Sequence, residues 1–178
     1  MTLRDPVDRA WSHYRMVTSE DGTEAQRKVR GVAWRGKTFG EVVEEEMGSE
    51  EVKALVENDS DENYGRYLKT CPMNTGSHSL IVRGMYELQL RPWLRAFDVK
   101  DVLVVKMEDM KRDGMQPTMD RVYDLLDLPQ YEVKDEGAKN SREGRRESIP
   151  EDVKEKLRAL YEKFDKKLFE KLGWEERW

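Results

Sequence analysis

A single short segment of the chain has the pattern of a buried β-strand, and this limits the possible folds more than any other feature. Four consecutive aliphatic residues, Val102 to Val105, lie between the charged residues Asp101 and Lys106. An uninterrupted apolar run of this kind is typical of a strand covered on both faces. Because one strand cannot form a sheet, a partner is needed, and the first three residues, Met-Thr-Leu, are the candidate.

Helical periodicity dominates the rest of the chain. Apolar side chains recur every three or four residues in five stretches, which we predict as helices. Asp5, Pro6 and Thr38 are suitable residues for helix starts, and Gly173 is a suitable stop. The predicted helices cover residues 6–16, 38–58 (divided at Gly48-Ser49), 80–97 (kinked at Pro92), 118–126 and 150–172, and the predicted loops cover 19–37, 58–79 and 134–148.

Strands that alternate with helices are typical of an α/β fold. We therefore predict a single domain over residues 1–178, in which a parallel sheet is flanked by helices and helices predominate. The sheet has too few strands to be complete, and we expect the missing part on the N-terminal side. Trp93, Leu94 and Phe97 are predicted core residues, and the acidic stretch 41–62 is predicted to be a solvated face.

The bulk composition excludes several classes of protein. The 178 residues carry a formal net charge of -5, which argues against a nucleic-acid-binding protein. Five tryptophans, seven tyrosines and four phenylalanines indicate a packed interior rather than disorder. The single cysteine, Cys71, cannot form an internal disulfide. The sequence contains no run near the roughly 18 apolar residues of a membrane span, no signal-peptide pattern and no metal-ligand spacing.

The most specific chemistry lies where the first predicted strand meets the first helix. Arg4 follows the strand, and Ser12 comes eight residues later on the helix. Ligands of open parallel sheets bind beyond the carboxyl ends of strands, and a helix N-terminus offers free backbone N–H groups to an anion. The Arg4 guanidinium and a hydroxyl about two turns along the helix could share one phosphate. By composition alone, a charged surface helix with Arg4 paired to Asp8 is the simpler interpretation.

The motif Arg4-Asp5-Pro6-x-x-Arg9-x-x-Ser12-x-Tyr14 resembles the 3′-phosphate-binding segment of sulfotransferases, especially the Golgi carbohydrate type. Later segments are similar to that family in order and spacing, and together they span most of the chain. They are Gly84-x-Tyr86 in a helix, the strand before Glu108-Asp109, Leu125-Leu126-x-Leu128-Pro129, and the closing helix before Gly173-Trp174. Each motif is weak by itself, whereas their order is more specific.

This resemblance implies a P-loop-NTPase-like fold and a sulfotransferase activity. The family transfers a sulfuryl group from 3′-phosphoadenylyl sulfate (PAPS), without a metal, to a hydroxyl or amine, here expected on a carbohydrate in the Golgi lumen. It implies that Arg4 and Ser12 contact the 3′-phosphate of this co-substrate. The basic stretch 139–146 lies where the family has a loop over the nucleotide, and Arg142 and Arg145 are expected to contact it.

Two parts of a sulfotransferase site are missing from the sequence. It contains no G-x-x-x-x-G-K-[ST] loop for the phosphosulfate and no identifiable catalytic base. The family has both before the segment that matches here, so we expect them upstream of Met1. The chain is then either a fragment of an enzyme or a degenerate relative without turnover. A non-catalytic helical interaction module and another nucleotide-dependent transferase, such as a kinase, are the alternatives.

The remaining polar candidates have less specific roles. His13 is expected to be a surface or packing residue of the first helix, although its position could suggest a base. His78 could reach an acceptor from its predicted loop. Glu108 and Asp109 are expected to hydrogen-bond the backbone after the strand.

Overall fold

The computed structural model describes residues 1–70, 76–134, 148–175 and 178. Helices predominate in these ranges, and a two-stranded parallel sheet accompanies them. Two 3₁₀ turns, Val82–Gly84 and Val99–Asp101, precede a helix and a strand. The other elements are β1 (Thr2–Leu3), α1 (Pro6–Thr18), α2 (Glu24–Arg30), α3 (Phe39–Met47), α4 (Glu50–Glu57), α5 (Asp61–Thr70), α6 (Tyr86–Ala96), β2 (Val105–Lys106), α7 (Met107–Asp113), α8 (Gln116–Leu125) and α9 (Glu151–Leu172).

The chain divides into two compact units. One, which we call the strand unit, comprises Met1–Arg4, Arg91–Ser148 and Trp178. The other, the helical unit, comprises Asp5–Leu90 and Ile149–Arg177. Both strands belong to the first, and most of the helices belong to the second.

The strand unit contains the parallel pairing that the sequence predicts. Thr2 pairs with Val105, and Leu3 pairs with Lys106. The amide of Val105 donates to the Met1 carbonyl at 3.0 Å, which extends the ladder by one bond. β2 is shorter than the apolar run Val102 to Val105 predicted, and both of its residues pair with β1.

Large apolar side chains of the strand unit are exposed, contrary to the prediction that they form a core. Trp93 and Phe97 of α6 are 59% and 52% exposed and stack on each other with ring centroids 6.1 Å apart. Leu94 is half-buried. Helical periodicity identifies which side chains share a face of a helix, but it cannot show whether another element covers that face.

The main hydrophobic core lies in the helical unit. It combines buried side chains of α1, α3, α4, α5 and α9 with those of residues 80–88. α9 contributes the longest stripe, with Val153, Leu157, Tyr161, Phe164 and Leu168 spaced by three or four residues. It ends where the prediction places its end, because Gly173 adopts a left-handed conformation with φ of 64°.

The helix boundaries of α1, α3 and α4 also confirm the predictions. α1 begins at Pro6, and Thr38 and Ser49 cap α3 and α4 through their side chains. The Ser49 cap explains why the predicted helix 38–58 is divided, since its hydroxyl accepts a hydrogen bond from the amide of Val52 at 3.3 Å.

Two helices lie in stretches that were predicted as loops, so those predictions were wrong. α2 buries none of its residues, and α5 buries only Tyr67. The apolar signal is weak in α2, which has only Ala25 and Val29, and short in α5, where Tyr64, Tyr67 and Leu68 cover little more than one turn. The start of α2 is stabilised locally by a capping box, in which Thr23 and Gln26 each accept a hydrogen bond from the other's backbone amide.

Replacing Gly84 by alanine is predicted to destabilise the protein. A Cβ at this position would lie 2.7 Å from ring atoms of Tyr161, whose hydroxyl is held by a 2.9 Å hydrogen bond to the Ile81 carbonyl. Overpacking of this kind costs about 1–3 kcal/mol in the free energy of unfolding, which urea denaturation would measure. Gly65→Ala in α5 is the matched control, because its Cβ would meet nothing within 4 Å and alanine favours a helix. Equal losses in the two variants would contradict the prediction.

Candidate functional site

Arg4 occupies the position that the sequence predicts for it. It directly follows β1, so it lies at the carboxyl end of a strand in a parallel pair. Its side chain is partly buried and belongs to the strand unit. Ser12 belongs to the helical unit, where it is exposed on α1. The arginine therefore has the topological position of a ligand-binding residue, and the serine hydroxyl is accessible to solvent.

The N-terminus of α1 does not offer the free amides that the sequence analysis expected. One carboxylate oxygen of Asp5 accepts hydrogen bonds from the amides of Val7 at 2.8 Å and Asp8 at 3.2 Å. The other oxygen accepts from Arg158 of α9 at 2.5 Å. Because the N-cap carboxylate already occupies these donors, an anion there has to be held by side chains. The expectation of free amides was wrong for this reason.

The other predicted nucleotide-binding residues, Arg142 and Arg145, lie outside the described residues, as does Cys71. Glu108 and Asp109 fall in the first turn of α7. Asp109 pairs with Arg112 at 3.1 Å, one turn along the same helix. Acidic residues in a first turn interact favourably with the helix dipole, which accounts for their place after the strand.

Residues 80–82 are held by side chains from three helices of the helical unit. The carboxylate of Glu46, on α3, accepts hydrogen bonds from the amides of Leu80 at 2.6 Å, Ile81 at 3.0 Å and Val82 at 3.4 Å. Arg9 of α1 donates to the Leu80 carbonyl. Tyr161 of α9 donates to the Ile81 carbonyl at 2.9 Å. We call this arrangement the Glu46 clamp.

Burial raises the pKa of two groups in the Glu46 clamp. It raises the pKa of Glu46, against the amide hydrogen bonds and the Arg9 charge, which favour the ionised carboxylate. It also raises the pKa of Tyr161, so the phenol keeps its proton and remains a donor. The acidic stretch 41–62 was predicted to be solvated, but the Asp59 side chain is only 16% exposed, and Glu46 binds the amides of the clamp. Its sequence signal is its position three residues after Val43, on the apolar face of α3.

His13 is a buried packing residue, as predicted. Its ring makes an edge contact with Trp34, with centroids 5.1 Å apart. The Nε2 atom lies 2.8 Å from the Gly76 carbonyl, and because a carbonyl only accepts, Nε2 must be the donor. Burial lowers the pKa of His13 to about 4, helped by the charges of Arg9 and Arg83. At neutral pH the ring is therefore uncharged, which is consistent with a packing role.

His78 also lies in the helical unit, and its tautomer follows from its neighbour. A guanidinium nitrogen of Arg83 lies 3.0 Å from Nε2 of His78. Since arginine only donates, Nε2 accepts and the proton of the neutral ring is on Nδ1. The next residue, Ser79, has a left-handed backbone with φ of 54°, and its hydroxyl lies 2.5 Å from that of Tyr67.

A cleft of about 200 Å³ opens beside the Glu46 clamp within the helical unit. Its lining combines aromatic, acidic and hydroxyl side chains from α3, α4, α5 and the segment 76–79. Left-handed conformations of residues other than glycine are often found at functional sites, and Ser79 lies in this lining. Six of the lining residues are Trp34, Glu45, Glu46, Tyr67, His78 and Ser79. The sequence analysis named only His78 among them as a candidate.

Glu46→Gln is predicted to lower the free energy of unfolding by about 2–3 kcal/mol, measured by urea denaturation. The amide side chain has one acceptor oxygen instead of two, and hydrogen bonds to a charged group contribute roughly 1.5–3 kcal/mol each. Glu45→Gln is the control, since its side chain is 63% exposed and pairs with Lys37 at the surface. Its loss should stay below about 1 kcal/mol. A loss as large as that of Glu46→Gln would contradict the role of the clamp.

The stability of the protein is predicted to fall as the pH drops from about 6.5 to about 4, in part because of His13. The folded state binds a proton at His13 only near pH 4, whereas the unfolded state binds it near pH 6.5, the ordinary pKa of histidine. The unfolded state is therefore favoured by acid, by up to about 3 kcal/mol at the lower limit.

Urea denaturation of the wild type and His13→Gln at several pH values would measure this effect. Glutamine can still donate to the Gly76 carbonyl but does not titrate, so the difference between the two proteins isolates His13. Above pH 7 the difference should be constant. A difference that is also constant between pH 6.5 and pH 4 would contradict the prediction.

Comparison with known proteins does not assign this arrangement to a family. No protein-family model matches the chain, and no curated protein matches it either. Among the described residues, none of the helices is long and apolar enough to cross a membrane. The same ranges contain no group of three or more side chains that could hold a metal ion. The function therefore has to be inferred from the chemistry of individual residues.

Proposed function

We propose that this chain carries the 3′-phosphate-binding part of a PAPS-dependent sulfotransferase. The position of Arg4 at the carboxyl end of β1, directly before α1, is the observation that supports this most. Parallel sheets bind ligands at such ends, and the Arg-Asp-Pro motif of the sulfotransferases stands at this junction here. The proposal includes a larger sheet of the P-loop type, to which β1 and β2 would both belong.

Each proposed contact uses a different property of its side chain. The guanidinium of Arg4 can hold two phosphate oxygens at once, and the exposed hydroxyl of Ser12 can donate to a third. The carboxylate of Asp5 accepts hydrogen bonds from the α1 amides and from Arg158, which fixes the start of the helix beside Arg4. In the proposal, Arg142 and Arg145 balance further phosphate charge.

The proposal assigns donor binding to this chain and no chemical step. In sulfuryl transfer the acceptor oxygen or nitrogen attacks sulfur, and the bond from sulfur to the 5′-phosphate oxygen breaks. The leaving group is 3′-phosphoadenosine 5′-phosphate. The 3′-phosphate is remote from these bonds, so contacts to it bind the ground state and the transition state alike and position the donor. Carbohydrate remains the proposed acceptor. The same proposal places the transfer of the sulfuryl group to it in the Golgi lumen.

Calorimetric titration with 3′-phosphoadenosine 5′-phosphate tests the proposal. We expect Arg4→Ala and Ser12→Ala to weaken binding by about tenfold or more, since each removes a charge-assisted hydrogen bond. Arg66→Ala is the charge-matched control, because Arg66 is exposed on α5 and pairs only weakly with Glu62. It should bind as the wild type does. Adenosine 5′-monophosphate, which has no 3′-phosphate, should bind to the wild type more weakly than the bisphosphate does. Its affinity for Arg4→Ala should equal its affinity for the wild type.

Several outcomes would overturn this assignment. A folded wild type that does not bind the bisphosphate would remove the nucleotide site altogether. Tighter binding of ATP than of the 3′-phosphorylated nucleotide would indicate a kinase-type transferase. Equal losses in Arg4→Ala and Arg66→Ala would mean that only the overall charge matters.

A non-catalytic interaction module is the second candidate, and one observation favours it. The strand unit exposes Trp93, Phe97, Leu126 and Tyr131 by 52% to 65%. Exposed aromatic and aliphatic side chains of this size are common in protein–protein interfaces. This function requires no nucleotide, so the same titration separates the two candidates.

A further inference from the structure

The cleft beside the Glu46 clamp is a separate candidate site, because none of the residues proposed to bind the donor lines it. Two of its walls are aromatic: Trp34 is 6% exposed and Tyr67 is 8% exposed. Val42 and Val52 extend the apolar lining. Its volume of about 200 Å³ corresponds to roughly seven water molecules at ~30 Å³ each. A cleft of this size, open to solvent on one side, has room for one small ring.

The two carboxylates of the lining are already compensated by the protein. Glu45 pairs with Lys37 at 2.5 Å. Glu46 accepts the amide hydrogen bonds of the clamp and interacts electrostatically with the positive charge of Arg9. The cleft therefore does not need a cationic ligand for charge balance. An anionic ligand is disfavoured, because the described lining has two carboxylates and no lysine or arginine that could pair with it.

The hydroxyl groups of the lining are largely committed as donors. Ser49 donates to the Glu46 carbonyl at 2.8 Å, and Thr70 donates to the Tyr67 carbonyl at 2.9 Å. The hydrogen bond between the hydroxyls of Tyr67 and Ser79 uses one of their two protons. Oxygen lone pairs of Ser49, Thr70 and the carboxylates remain as acceptors. A lining rich in acceptors is complementary to a ligand rich in hydroxyl donors.

We propose that this cleft binds a single neutral sugar ring. The ring hydroxyls would donate to Glu45, Glu46 and Thr70, and the apolar C–H face of the ring would contact Trp34 or Tyr67. As a sugar-binding cleft it depends only on these residues. The further assignment of the cleft as a subsite for the acceptor rests on the proposed function. This assignment restricts the acceptors to those whose bound sugar carries no sulfate or carboxylate.

Titrations monitored through the tryptophan indole N–H resonances of the full chain test this inference. The probes are methyl glucoside and N-acetylglucosamine as neutral sugars, and glucuronate as the anionic sugar. Trp34→Phe identifies the Trp34 resonance. We expect the neutral sugars to shift that resonance in a saturable manner and glucuronate to bind at least about tenfold more weakly.

Glu45→Gln and Thr70→Val are the test variants, because neither residue belongs to the Glu46 clamp. Each should weaken binding of the neutral sugar by about three- to tenfold, as expected for the loss of one hydrogen bond. Glu45→Gln should also improve the relative binding of glucuronate. Glu62→Gln, on the exposed face of α5 and outside the lining, is the charge-matched control and should bind as the wild type does.

Three results would overturn the inference. The first is the absence of a saturable shift with either neutral sugar. The second is binding of glucuronate that equals that of the neutral sugars. The third is an equal loss in Glu45→Gln and Glu62→Gln.

The outcome for the cleft is independent of the outcome for the nucleotide. Ser12→Ala should leave sugar binding unchanged, and Thr70→Val should leave binding of the bisphosphate nucleotide unchanged. If sugars bind and the nucleotide does not, the proposed function fails while the cleft stands. If the nucleotide binds and sugars do not, only the proposal that the cleft binds a sugar is refuted.

Discussion

The helical unit depends on the hydrogen bonds that the Glu46 carboxylate accepts from the backbone amides of residues 80–82. Leu80, Ile81 and Val82 are buried, so their backbone amides cannot reach water and would remain unsatisfied without an acceptor. Glu46 supplies that acceptor from α3. Arg9 and Tyr161 satisfy the carbonyls of the same segment from α1 and α9. One short irregular segment thereby connects three helices, and each connection satisfies a buried polar group.

The same segment explains features that lie next to it. Gly84 follows the clamped residues, and the ring of Tyr161 approaches so closely that no side chain fits there. Ser79 precedes them and adopts a left-handed backbone that contributes to the lining of the cleft. The Gly-x-Tyr motif of the sequence therefore has a packing role at its first position. The cleft wall is fixed by the clamp rather than by the helices alone.

The residues of the Arg-Asp-Pro motif have different roles, some in packing and others in the proposed binding of a ligand. Asp5 caps α1 and pairs with Arg158, so it secures α1 against α9 within the helical unit. Arg9 is part of the Glu46 clamp. Arg4 and Ser12 are the members of the motif that we propose to bind a ligand, because Arg4 directly follows β1 and Ser12 is exposed on α1.

The sequence alone determined the parts of the protein that repeat with a regular period or carry a local signal. Caps at Asp5, Thr38 and Ser49 and the stop at Gly173 depend on neighbouring residues only, as does the apolar period of α9. Only the tertiary structure decided that Glu46 binds the amides of residues 80–82, that Trp93 is exposed and that a cleft forms beside Ser79. Burial is set by which elements meet in space, and contacts between residues 34 positions apart, such as Glu46 and Leu80, leave no local pattern.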